Sequence, residues 1–187
     1  ADSVILGIQH VLNGKVDAIV VGINPGFNTS RHLFFSGTMG AAIMGAANGV
    51  KSCAFSMDHI DNINDQSVGS IITAIAKELI DPSTPHGALF NVNFPSLSFG
   101  GIKGAESAVP APSELKGMIE PQSDGGFEIY GGLKVNIDRM ELKPGTDLEV
   151  LNRHRVAISA LDGPTLTHQP NAPSLKRMID AAIRVIG

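Results

Sequence analysis

The stretch 17–50 constrains the fold of this chain more than any other. Ala18-Ile19-Val20-Val21 is an uninterrupted apolar run, which suits a strand buried on both faces. The run stops at Gly22, and Asn24, Pro25, Gly26 and Asn28 follow, all turn formers. Ser36-Gly37-Thr38 then opens a Gly/Ala-rich segment, 39–48, that reads as a helix closed by Gly49. The order is strand, polar loop, helix N-terminus. Open α/β sheets place ligands beyond the carboxyl ends of their strands, in loops of this kind. The free N–H groups and positive dipole end of a helix N-terminus favour an anion such as phosphate. An ordinary βα connection has the same pattern, so the residues alone leave both readings open.

The rest of the chain narrows the class. At 187 residues it is long enough for one sizeable core, or for a core with an appendage. A hydrophobic content of 43% with 17% charged residues belongs to a globular protein. The net charge of −4 gives no broad basic footprint for a nucleic-acid polymer, although a small anion can still find a locally positive site. With no Trp and Tyr130 as the single tyrosine, an aromatic platform for single strands is not expected. Cys53, the lone cysteine, sits in an apolar run and reads as a buried reduced thiol, without disulfide or thiolate metal site. No apolar stretch approaches a membrane span and no signal peptide is visible, so a cytoplasmic protein with no membrane partner is expected.

In chain order, Asp2 or Ser3 is positioned to cap a first helix with Val4, Ile8, Val11 and Leu12 on one face and Gly14 at its end. Small residues at Gly40, Ala41, Ala42, Gly45, Ala46 and Ala47 let the helix over 39–48 lie close against its neighbours. A second buried strand over 51–57 completes a βαβ unit, hence a parallel pair with a right-handed crossover. From Gln66 the period is helical, with Val68, Ile71, Ile72, Ile75 and Leu79 on one face, and Asp81-Pro82 ends it. Residues 88–94 alternate, Ala88, Phe90, Val92 and Phe94 against Leu89, Asn91 and Asn93, as a strand ending at Pro95. Segment 96–146 is richer in Pro, Gly and charge, with short strands expected at 101–109, 127–130 and 133–137. It reads as a hairpin-rich extension, the kind of arm that packs on another subunit. Gly145-Thr146-Asp147 is a turn or helix start, 155–161 another strand, and 174–186 an amphipathic helix with Leu175, Met178, Ile179, Ala182, Ile183 and Ile186 on its apolar face. The expected organisation is a core over 1–95, an extension over 96–146, and a returning strand and C-terminal helix over 147–187.

Several of these segments, in collinear order, resemble one family, the SurE (stationary-phase survival) nucleotidases. Gly22-Ile23-Asn24-Pro25-Gly26-Phe27-Asn28 is similar to the family's Ser-Gly-Ile-Asn-x-Gly-x-Asn, and Phe35-Ser36-Gly37-Thr38 to its Tyr-Ser-Gly-Thr. Ala1-Asp2-Ser3-Val4 with Leu6-Gly7 looks like the segment before the first motif. Phe90-Asn91-Val92-Asn93-Phe94-Pro95 resembles Leu-Asn-Val-Asn-x-Pro, and Gly145-Thr146-Asp147 resembles Gly-Thr-Asp. The resemblance implies an α/β fold: a Rossmann-like three-layer core with a mainly parallel sheet, an extended, exchange-prone β-hairpin arm and a C-terminal helix. It also implies a divalent-metal-dependent phosphomonoesterase acting on nucleoside 5′- or 3′-monophosphates, as a homodimer or tetramer. In such a protein Asn24 binds the metal, Mg²⁺ or Mn²⁺, for which an amide oxygen is a suitable hard ligand. Asn28, Ser36, Gly37 and Thr38 lie at the phosphate, and Asn24 and Ser36 are the catalytic residues. The metal would polarise the phosphoryl oxygens and activate a water, with the loop and helix N-terminus stabilising charge on the phosphate.

The departures from the family pattern are specific. Its other metal ligands, an Asp-Asp pair and a Ser, precede the residue matched by Ala1, so the resemblance implies a longer intact protein. Val21 replaces the usual Ser, and the arm reads Glu120-Pro121-Gln122-Ser123-Asp124-Gly125-Gly126 in place of Asp-Pro-Arg-Gly and Tyr-Tyr-Trp. Two other functions are carried with the nucleotidase: a nonenzymatic nucleotide-binding or oligomerising relative, and a phosphatase with a non-nucleotide substrate. Taken one at a time the residues have plainer uses. Asn24 and Asn28 serve turns, Ser36 and Thr38 cap a helix, and Asn91 and Asn93 satisfy backbone at a strand edge. Arg31 is a solvated loop arginine, and the six histidines, His32 and His168 among them, show no metal-ligand spacing. Neither the Gly-x-Ser-x-Gly elbow of serine hydrolases nor a G-x-G-x-x-G dinucleotide loop is present.

Overall fold

The strand–loop–helix–strand order of residues 17–57 is present, and it seeds a five-stranded sheet. The computed structural model describes residues 1–58, 65–97, 100–112, 119–129 and 142–187. The elements are α1 (Asp2–Leu6), β1 (Ala18–Pro25), α2 (Gly37–Ala47), β2 (Lys51–Met57), α3 (Gln66–Ile80), β3 (Leu89–Phe94), β4 (Ala105–Ser107), β5 (Ile119–Pro121), β6 (Phe127–Ile129), α4 (Asp147–Asn152), β7 (Val156–Leu161) and α5 (Pro173–Ile186). A π-helical turn, Gly7–Val11, extends α1, and a 3-10 turn, Ser30–Phe34, lies between β1 and α2. The sheet runs β1-β2-β3-β7-β4. Strands β1, β2 and β3 are parallel, β7 is antiparallel to β3, and β4 is parallel to β7. The hairpin β5–β6 stands apart as a two-stranded sheet. Among the described residues no helix is long and apolar enough to cross a membrane.

The two-residue period of the central strands sorts their side chains into two cores. Cys53, Phe55 and Met57 of β2, Phe90, Val92 and Phe94 of β3, and Val156, Ile158 and Ala160 of β7 face α3 and α5, meeting Val68, Ile71, Ile75, Leu79, Leu175 and Met178. Ala54 and Leu89 point the other way, onto Met39, Ala42 and Ala46 of α2. Farther along that face, Ala157 packs on Val150 and Leu151 of α4. The result is three layers, with β2, β3 and β7 buried along their whole length. Burial pushes the Cys53 thiol well above its ordinary range, so it stays a neutral core group.

The small residues of α2 do bring it close to the sheet. A Cβ on Gly45 would lie 2.6 Å from Ile19 Cδ1 of β1 and run into the Ser52 hydroxyl of β2. Gly22 is the second close approach: it has φ +119°, and a Cβ there would collide with the Phe55 carbonyl oxygen. The β1–β2 register shifts between Val21 and Asn24, so the strand continues to Pro25 rather than ending at Gly22.

Several expectations need correction. β1 is not buried on both faces: it is the last strand of the described sheet, α3 and α5 cover its neighbours, and Val20 is left 48% exposed. The first helix is shorter than expected and Ala1, not Asp2 or Ser3, is its N-cap. Of its expected face Ile8 is buried, while Val11 and Leu12 are exposed. β4, expected in the extension beyond Pro95, is paired with β7 in the main sheet. Asn91 and Asn93 lie on a central strand, not at an edge. The strand expected over 133–137, together with Tyr130, lies outside the described residues.

Candidate functional site

Beyond the carboxyl ends of β1, β2 and β3, the loop 26–35 is held by side chains from three other elements. Asn24, Ser56 and Asn93 form one row across these strands, Asn24 paired with Ser56 and Ser56 with Asn93. The Asn93 carboxamide treats Asn28 as a neighbouring strand would: Oδ1 accepts the Asn28 backbone N–H at 2.8 Å and Nδ2 donates to its carbonyl at 3.0 Å. Asn91 Nδ2 donates to the same carbonyl at 2.8 Å, and Asn28 Nδ2 donates to the Ser56 hydroxyl. All four residues are buried, where hydrogen bonds are worth most and unmade ones cost most. Thr29 Oγ1 and Asn91 Oδ1 are buried with no hydrogen-bond partner among the described residues, so the chain's own groups do not exhaust the polar capacity of this cradle.

Two residues further on, Ser30 has φ +58°, a conformation a non-glycine residue keeps only when its surroundings hold it. Asp147 at the start of α4 supplies that hold. Its Oδ2 accepts the Ser30 N–H at 2.8 Å, while its Oδ1 accepts those of Ala111 at 2.9 Å and Leu148 at 2.8 Å. The Ser30 hydroxyl in turn donates to the Ala111 carbonyl at 2.6 Å. Burial pushes the Asp147 carboxyl up to about 6, against the pull of these amide donors toward the ionised form.

So clamped, the loop delivers the chain to Ser36, the N-cap of α2, whose Oγ accepts the Met39 N–H at 3.1 Å. The N–H groups of Gly37 and Thr38, in the first helical turn, have no acceptor within the helix. Ser36 and Thr38 are half-buried and Gly37 is exposed. The sequence holds no Asp or Glu between Ala18 and Met57, and Arg31 stands exposed nearby in the chain. Burial lowers the pKa of His32, which keeps its imidazole neutral at pH 7. Helix dipole and free amides both favour a bound anion.

The site residues expected from sequence therefore fall into two groups. Ser36, Gly37 and Thr38 form the helix N-terminus, whereas Asn28 is buried in the clasp that fixes the loop. Asn24 stands half-buried at the end of β1, with Nδ2 donating to the Gly26 carbonyl at 2.8 Å. That bond orients the carboxamide and leaves its oxygen as the end suited to a cation. One neutral oxygen falls far short of the set a divalent ion demands. Among the described residues no three His, Cys, Asp or Glu side chains gather to hold a metal. The described residues do not make a metal site by themselves. His168 lies elsewhere, its Nδ1 3.1 Å from the Ala160 carbonyl oxygen and its Nε2 3.2 Å from the Ser107 hydroxyl.

Neither Ser56 nor Asp147 is tied to this loop, or to Ser30 within it, by any spacing in the sequence. The Gly-Thr-Asp triplet was the available signal: an aspartate at a helix start stands among backbone N–H groups that lack helical partners.

Comparison with known proteins agrees with this architecture. A family model described as "Survival protein SurE" matches residues 1–115. The chain is 30% identical over 173 residues to the "5'-nucleotidase SurE" of Mesorhizobium japonicum, covering 90% of this chain and 69% of that protein. To the protein of the same name from Paramagnetospirillum magneticum it is 29% identical over 178 residues, covering 94% and 68%. Among solved structures, that of the SurE protein from Aquifex aeolicus matches with a TM-score of 0.69 at 24% identity, over 88% of this chain and 66% of the other. The chain spans about two thirds of the length of these relatives.

Proposed function

This chain belongs to the SurE family, and from that premise we propose that it carries the phosphate-binding half of a phosphomonoesterase that hydrolyses nucleoside 5′- or 3′-monophosphates to nucleoside and phosphate. The observation that supports the reading best is the clamp on loop 26–35. Asn93, Asn91 and Asp147 hold that loop rigid, and the segment it presents, Ser36-Gly37-Thr38, is an uncharged cradle of amide and hydroxyl donors. A phosphoryl group seated there takes hydrogen bonds from the N–H groups of Gly37 and Thr38. The Ser36 hydroxyl, already accepting from Met39, keeps its own proton to donate. These donors point where negative charge accumulates as the ester breaks, and a preorganised donor costs nothing to reorient at that moment. Asn28 acts mainly through its backbone, setting the distance between the loop and the end of β3.

The proposal includes dependence on Mg²⁺ or Mn²⁺, with Asn24 as the residue this chain offers the ion. The chain's own groups account for binding and orienting the phosphoryl group. The test is phosphate release by the intact protein from a panel of nucleoside monophosphates and sugar phosphates, with Mn²⁺ and with EDTA. Release from nucleotides that EDTA abolishes is expected. Turnover indifferent to EDTA contradicts the metal dependence, and a preference for sugar phosphates contradicts the substrate. Nucleotide binding with no turnover at all identifies a nonenzymatic relative.

A further inference from the structure

Two large aromatic side chains stand in solvent immediately before the α2 N-cap: Phe34 is 67% and Phe35 69% exposed. Their backbone is not loose. Phe34 ends the 3-10 turn Ser30–Phe34, the Phe35 N–H donates to the His32 carbonyl at 3.0 Å, and Leu33 of the same turn is buried in the core. The start of the turn is clamped through Ser30 by Asp147. A fixed backbone thus holds two rings in water, where burial would be favoured by their apolar area. The chain has no Trp and a single Tyr, and Phe55, Phe90 and Phe94 are buried in the core. Phe127 of β6 is as exposed, so what sets Phe34 and Phe35 apart is that they are adjacent and stand beside a polar cradle, where contiguous apolar surface marks contact with a ligand or a partner.

We propose that Phe35, with Phe34 beside it, is the platform on which the base of a bound nucleotide stacks. This rests on the nucleotidase reading and adds to it the part of the site that tells a nucleotide from other phosphate monoesters. Phe35 is the residue before Ser36, so the exposed pair and the phosphate cradle belong to one continuous segment of five residues, 34–38. Every nucleobase has a π face, so stacking accepts all bases and favours the larger purines. Along the chain no charged residue stands between Phe34 and the cradle, and Arg31, the nearest in sequence, is basic. A ring pair of this kind gives nothing to an abasic sugar phosphate. Discrimination against such esters is then built into the same short segment that binds the phosphate.

The test compares steady-state kinetics of the intact protein on AMP and on ribose 5-phosphate. The variants are Phe35→Ala, the double variant Phe34→Ala with Phe35→Ala, and Phe35→Trp. The KM for AMP relative to that for ribose 5-phosphate is expected to rise about tenfold in Phe35→Ala, the size of one lost base stack, and to return to within about twofold of wild type in Phe35→Trp. An equal rise for both substrates, or none, overturns the platform. A change of oligomeric state in Phe35→Ala with equal loss on both substrates overturns it too, and assigns the rings to a subunit contact. A wild-type protein that cleaves ribose 5-phosphate but no nucleotide fails at the nucleotidase reading itself, before any variant is compared, and the platform falls with it.

Discussion

Asp147 shows what a single buried carboxylate does for a loop far away in sequence. Its two oxygens accept three backbone N–H groups, from Ser30, Ala111 and Leu148, and so join the loop before α2, the segment after β4 and the start of α4. Desolvation raises its pKa from 3.8 to about 6. The folded protein therefore holds this proton to a higher pH than the unfolded chain, and between about pH 4 and pH 6 it binds more protons. Stability from this group falls as pH rises through that window and is level above it. At 1.36 kcal/mol per unit the change is about 3 kcal/mol. We expect the advantage of wild type over Asp147→Asn, read from urea midpoints, to shrink by that order between pH 4 and pH 7. An advantage that grows with pH would mean that the amide donors outweigh desolvation. Ser30 and Asp147 could not be paired from the sequence. They lie far apart along the chain, neither belongs to a periodic pattern, and a serine before a basic pair resembles any loop serine. The Asn-Val-Asn of β3 was visible as an alternation, but its partner was not, because a side chain that imitates a neighbouring strand leaves no trace in spacing.

At the scale of elements, the packing of α2 on the sheet depends on the absence of a side chain. Gly45 lies against Ile19 and Ser52, so Gly45→Val has to push the helix off both strands. Overpacking of this kind costs about 1–3 kcal/mol. The shift should also move Ser36 and its neighbours at the other end of the same rigid helix. Thermal melting should show the loss of stability, and in the intact protein the KM for substrate should rise with it. A variant as stable as wild type would contradict the close approach. Elements that bury a continuous stripe or a whole run were legible almost to the residue: β2 over 51–57 and α3 from Gln66 to the Asp81-Pro82 stop are as the period indicates, and α2 and α5 differ by a residue or two at their starts. Elements whose burial depends on what lies next to them were not. An apolar run such as Ala18-Ile19-Val20-Val21 is buried on both faces only where both sides of the sheet are covered. β1 has a neighbour on one side only in the described sheet, and Val20 is left in solvent.

At the scale of the whole molecule, the three fully buried strands should also be the slowest to open. Hydrogen exchange is expected to be slowest in β2, β3 and β7 and distinctly faster in β1, at the end of the described sheet. Equal protection of β1 would show that its outer edge is covered. The fold class was legible because a βαβ unit admits few arrangements and its crossover has a fixed hand. The place of β4 was not, since a strand as short as Ala105–Ser107 carries too few residues to show a period, and only its pairing with β7 puts it in the sheet. The candidate site was legible at the helix N-terminus, where Ser-Gly-Thr announces itself, and illegible in its supports. Those supports have a consequence for biosynthesis. A ribosome releases the chain from its N-terminal end, so loop 26–35 is made early, Asn91 and Asn93 later, and Asp147 later still. The loop cannot take its final shape on a nascent chain that has not yet delivered Asp147, and any ligand that needs the loop in that shape has to wait for nearly the whole fold.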